Sequence, residues 1–151
     1  MKGRELIIRM AEYKIGKCPD KLKTIGLGSC VGIAIYDYFN KIGGLIHIML
    51  PERKGKLKCE KYADSGIPLL VNKMKKKGAR QLYLVAKIAG GARMFKMTGL
   101  NGNLEVGKRN IEKTRQILSD LNIEIIAEDV GKDYGRTMTF FIENGEVIIS
   151  S

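Results

Sequence analysis

Between residues 5 and 50 the apolar residues come in short runs, ELIIRM, LKTIGLG, VGIAIYD and KIGGLIHIML, each rich in Ile or Val and interrupted by glycine or charge. Such runs read as extended segments, because branched side chains suit a pleated surface while glycine breaks the strands and turns them. None approaches the ~18 consecutive apolar residues of a membrane-spanning helix. Phe39-Asn40-Lys41 supplies a hairpin turn between the last two runs. After Pro51 the lysine-rich ERKGKLKCEK reads as a mobile loop beside the strands.

The period then changes. In YADSGIPLLVNKMKKK, Ile67, Leu70, Val71 and Met74 fall three and four residues apart, which is one face of a helix ending at Gly78. With Asp64 or Ser65 as N-cap, Pro68 falls in or just past the first turn, where a missing N–H costs little. A strand RQLYLVAKIAGG follows, then a second helix from about Leu104 to Leu121 with Ile111, Ile117, Leu118 and Leu121 on its apolar side. IEIIAEDV, RTMTFFIE and GEVIIS close the chain as strands, the last two joined by a two-residue turn at Asn144-Gly145. The expected fold is α/β in the α+β sense, a single domain over 1–151 of mostly antiparallel mixed sheet layers packed with two main helices.

The chain of 151 residues carries 27 Lys and Arg against 16 Asp and Glu, a net charge of +11 that favours acidic partners. Lysine excess with little glutamine is a thermophile tendency. Cys18, Cys30 and Cys59 are odd in number and scattered, which suits reduced thiols in the cytoplasm. Their spacing to His47 is not that of structural zinc, so no metal is expected. A nucleic-acid-binding module is the alternative that the charge raises. It lacks support, because no aromatic residues interleave with the basic ones and no DNA-binding motif is present.

Thr24-Ile25-Gly26-Leu27-Gly28-Ser29-Cys30 is a strand entering a glycine turn with a thiol at its exit. Gly26, Gly28 and Ser29 would bring main-chain N–H groups to a substrate carbonyl, and Cys30 would attack it. The single histidine, His47, lies in the apolar run GLIHIML, where an imidazole needs a partner. If the two strands pair, thiol and imidazole meet. An imidazolium there would lower the thiol's pKa and make Cys30 the cysteine that alkylates first.

TIGLGSC, GLIHIMLP, KYAD, KIAGGARMF, GKRN and EDVG occur here in the order seen in the chemoreceptor glutamine deamidases, the CheD family, which this chain resembles over roughly residues 20 to 145. The resemblance implies Cys30 as nucleophile, His47 as general base and Thr24 as the residue that orients the histidine. It implies deamidation of glutamine to glutamate on the helical cytoplasmic region of chemoreceptors, without a cofactor or membrane insertion, and a CheC-type phosphatase as partner. A chemotaxis scaffold with little turnover is the second reading. Relatives commonly carry a double glycine after the EDV segment, where this chain has Gly131-Lys132.

Gly102 to Arg109 falls one residue short of a phosphate-binding loop, because its last position should be Ser or Thr for magnesium. Arg109 and Asn110 are instead expected to cap and anchor the second helix.

Overall fold

A computed structural model describes residues 2–56, 58–94 and 105–151. The strands are β1 (Glu5–Ile8), β2 (Tyr13–Lys17), β3 (Lys21–Leu27), β4 (Val31–Asp37), β5 (Ile42–Ile48), β6 (Leu84–Gly90), β7 (Glu124–Val130), β8 (Arg136–Phe141) and β9 (Val147–Ser150). The helices are α1 (Ala63–Lys76) and α2 (Val106–Asp120), with 3-10 turns at Cys59–Lys61 and Gln81–Tyr83.

The strands form two sheets, ordered β1-β3-β8-β9 and β2-β5-β4-β6-β7. Pairing is antiparallel except for β1 with β3 and β6 with β7. The result is an α+β fold, as the strand and helix periods imply.

The five-stranded sheet is the middle layer. Its outer face carries Ile33, Ile35, Ile46 and Ile48 against Ile67, Leu70, Met74, Ile111 and Leu118 of the two helices. Its inner face carries Ala34 and Leu45 against Leu22, Leu27, Met138 and Phe140 of the other sheet. Covered on both sides, β4 and β5 are buried at every residue. This explains why their sequences are nearly continuous apolar runs without alternation.

Glycine makes the two sheets' close approach possible on β4 and β5. A Cβ at Gly43 would lie 2.7 Å from the Phe140 ring, and one at Gly32 2.8 Å from the Met138 sulfur. Larger residues would push the layers apart there.

Several local readings are corrected. YKIGK forms β2, an edge strand paired with β5, although Lys14, Gly16 and Lys17 hide the apolar pattern. Helix α1 starts one residue before Asp64, and Tyr62 at its N-cap makes no side-chain capping bond. Asp64 instead accepts the Arg53 N–H, and the Ser65 hydroxyl donates to Cys59 O. Pro68 lies just past the first turn. The turn at Asn144-Gly145 is wider than two residues, because Ile142 folds inward, fully buried, and its N–H donates to Asp20 O. The lysine-rich stretch contains the Cys59–Lys61 turn and is tied to β5's end by a Leu50–Tyr62 bridge.

Candidate active site

Thr24 and His47 come from different sheets and meet between them. Parallel pairing sets Thr24 beside Ile8, and β4–β5 pairing sets His47 opposite Gly32. Both polar side chains are fully buried. The Thr24 hydroxyl donates to Ile8 O at 2.6 Å and lies 2.7 Å from His47 Nδ1.

Those two contacts fix the histidine tautomer. A hydroxyl has one hydrogen, and Ile8 O can only accept, so the Thr24 oxygen must accept from an Nδ1–H. The neutral ring therefore keeps its lone pair on Nε2. That atom is buried and has no hydrogen-bond partner among the described residues.

Cys30 immediately precedes β4, two residues before Gly32, the residue opposite His47. It belongs to the apolar cluster between the sheets, the side toward which His47 reaches Thr24. It is buried, with 8% of the residue exposed.

The turn leading to Cys30 is held from several directions. Gly26 takes the left-handed conformation (φ 78°) within a register shift of β3, and its carbonyl accepts the Gly28 N–H at 3.1 Å. The carbonyls of Gly28, Ser29 and Cys30 accept, in order, from Ala92 N–H at 2.8 Å, Asn110 Nδ2 at 2.9 Å and Gly91 N–H at 2.8 Å. Among the described residues no main-chain carbonyl accepts the Ser29 or Cys30 N–H, and the Cys30 N–H faces its own thiol. A Cβ at Gly90 would come within 2.2 Å of Cys30 O, so KIAGG can run against the turn only with glycine there.

Burial decides the charge state of the pair. Loss of hydration raises the Cys30 thiol above its ordinary value, with its own main-chain N–H acting weakly in the opposite direction. The same loss lowers the His47 imidazole to about 4. Both are neutral at pH 7, which corrects the expectation of a preformed imidazolium. The site can instead perform general-base chemistry, with proton transfer from Sγ coupled to attack.

Asn110 is not a cap. It sits in the second turn of α2, fully buried, and donates both amide hydrogens outward, to Ser29 O and to Met49 O at 3.0 Å. Its role was hidden because its partners lie 81 and 61 residues away. The only local cue is Gly107 three residues earlier on the same helix face, where a Cβ would meet Ala92 O at 2.5 Å.

The departure at Gly131-Lys132 keeps its turn. Lys132 adopts the left-handed conformation (φ 63°) that a glycine would take, and its carbonyl accepts the Arg93 N–H. Residues 102–104 of the near-miss phosphate loop, and Leu104 at the expected start of α2, lie outside the described residues. Cys18 is exposed and Cys59 half-buried. Among the described residues no three His, Cys, Asp or Glu side chains are grouped to hold a metal, and no helix is long and apolar enough to cross a membrane.

A thiol at a glycine turn, an imidazole that keeps its lone pair on Nε2, and main-chain N–H groups with no carbonyl partner among the described residues are the parts that thiol-dependent acyl-transfer sites combine. The sequence profile described as CheD chemotactic sensory transduction matches residues 49–151. The chain is also 45% identical over 152 residues to a protein of Lachnoclostridium phytofermentans named as a probable chemoreceptor glutamine deamidase CheD, covering 99% of this chain and 94% of that one. Proteins of the same name from Caldanaerobacter subterraneus subsp. tengcongensis (43%, 100% of this chain and 95% of the relative) and Clostridium tetani (44%, 100% and 93%) match equally well. This chain belongs to the CheD family. The profile match begins at Met49, downstream of Thr24, Cys30 and His47, whereas the relatives span nearly the whole chain.

Proposed function

We propose that this protein is a glutamine deamidase acting on chemoreceptors in chemotaxis, with Cys30 as nucleophile, His47 as base and Thr24 as the residue that orients the base. The observation that carries the reading is the Thr24–His47 hydrogen bond, which leaves Nε2 as the proton acceptor in the layer between the sheets where Cys30 also packs. The relatives' names supply the substrate.

His47 Nε2 takes the thiol proton as Sγ bonds to the glutamine carboxamide carbon, and the carbonyl electron pair moves to oxygen. The Ser29 and Cys30 N–H groups stabilise that oxyanion, while Gly26 and Gly28 shape the turn that presents them. Collapse expels ammonia, which takes the proton from His47, and a thioester remains. Water, deprotonated by Nε2, attacks the thioester. The C–S bond breaks, giving glutamate and the restored thiol, so the chemistry requires no metal or organic cofactor.

The single domain over 1–151, a CheC-type phosphatase as partner and the cytoplasm as working place belong to the same proposal and rest on the family. Incubating the protein with the cytoplasmic fragment of a chemoreceptor should release ammonia as receptor glutamine becomes glutamate. Tight binding without ammonia release would favour the scaffold reading. Binding to nucleic acid and none to receptor would overturn the assignment.

A further inference from the structure

The Asn110 side chain joins the two halves of the site. One amide hydrogen holds the Ser29 carbonyl beside the nucleophile, and the other holds Met49 O, two residues beyond His47. Gly107, one turn earlier, lets α2 approach the Gly91-Ala92 backbone, which in turn binds the Gly28 and Cys30 carbonyls. The helix thus reaches the nucleophile turn through a fully buried polar residue.

The peptide bond between Ser29 and Cys30 is what Asn110 grips. In a planar trans peptide the C=O and the following N–H point in opposite directions. Fixing Ser29 O toward α2 therefore aims the Cys30 N–H away from the helix, on the sulfur's side. Without that grip the peptide could rotate and the donor would be lost with the thiol still in place.

We propose that Asn110 is a positioning residue for the oxyanion site: by holding the Ser29 carbonyl toward α2 and tying it to Met49, it aims the Cys30 N–H at the oxygen that becomes negative during attack. This rests on the deamidase reading. Attack forms the Sγ–C bond and moves the carbonyl π pair to oxygen, and the Cys30 N–H hydrogen-bonds that oxygen. Asn110 touches neither substrate nor reacting atoms.

The test compares Asn110→Ala and Asn110→Asp with wild type in three reactions of the same thiol. The first is receptor deamidation, read as kcat and KM. The second is reversible addition of Cys30 to a receptor peptide carrying an aldehyde in place of the glutamine carboxamide, which forms an oxyanion. The third is alkylation of Cys30 by iodoacetamide, followed at that residue by mass spectrometry, which forms none. Outright removal of an oxyanion donor costs about 100- to 1000-fold in kcat, so misaiming one is expected to cost about tenfold or more. Affinity for the aldehyde peptide should fall in parallel, while KM and the alkylation rate stay near wild type. Equal losses in all three reactions would mean that Asn110 merely supports the fold and would overturn the inference, as would full kcat and aldehyde affinity in both variants. If neither variant folds, the amide resonance of Cys30 in the wild type decides: it should move downfield when the aldehyde adds, and an unmoved resonance refutes the role. A wild type that does not deamidate at all refutes the deamidase reading instead.

Discussion

Thr24 and His47, carried by strands of different sheets, are bound side chain to side chain at 2.7 Å in a fully buried position. The hydroxyl's own hydrogen is committed to Ile8 O, so the bond also dictates which ring nitrogen keeps its lone pair.

Removing that hydroxyl should therefore act on both rate and stability. Thr24→Val should lower kcat about 10- to 100-fold, as loss of a partner that orients a functional histidine commonly does. It should also cost about 1–3 kcal/mol, because Ile8 O and Nδ1–H are left buried and unpaired. Thr24→Ser should restore most of both. Steady-state kinetics and urea denaturation check this, and full activity in Thr24→Val would reduce Thr24 to a strand residue.

The pH dependence follows from the His47 imidazole, lowered by burial to about 4 from 6.5. A base is lost when protonated, so kcat/KM should change little from pH 8 down to 5, with no fall near 6.5. Stability has its own window. A histidine kept neutral by folding contributes fully above pH 6.5, and that contribution drains away as pH drops toward 4, by on the order of 3 kcal/mol at most. Urea midpoints of wild type and His47→Gln should therefore converge or cross between pH 7 and 5. A wild-type rate halved at pH 6.5 would show a solvated imidazole.

Thiol labelling should run opposite to what the sequence alone suggests. Cys30 is buried and its thiol is raised by desolvation, whereas Cys18 is exposed. Iodoacetamide at neutral pH should modify Cys18 ahead of Cys30 in the free protein, since attack follows thiolate fraction and access. Residue-resolved labelling rates decide it, and Cys30 reacting first would indicate a preformed ion pair.

These contrasts show what the sequence could carry. The strand runs, both helices and the TIGLGSC and GLIHIML segments were legible, since periodicity and an imidazole in an apolar run are local signals. β2 was not, because Lys14 and Lys17 mask an edge strand whose pairing lies in β5. The charge states were also hidden: burial on both faces of the middle sheet, not proximity in sequence, makes thiol and imidazole neutral. Asn110 looked like a helix cap because its partners are distant in the chain.

Charge gives a kinetic expectation. With a net charge of +11, encounter with an acidic receptor surface should be steered electrostatically. Steering weakens as the Debye length shortens, to about 8 Å at 0.15 M salt and about 3 Å at 1 M. Stopped-flow association rates should fall with added salt, and salt-independent rates would remove steering.

The central claim is that the Cys30 sulfur makes the bond. Mass spectrometry of receptor glutamines after incubation with wild type or Cys30→Ala, with receptor binding measured alongside, tests it most directly. Conversion to glutamate is expected with wild type and none with Cys30→Ala, with nearly equal binding by both, because the thiol contributes little contact area. Conversion by Cys30→Ala at the wild-type rate would contradict it.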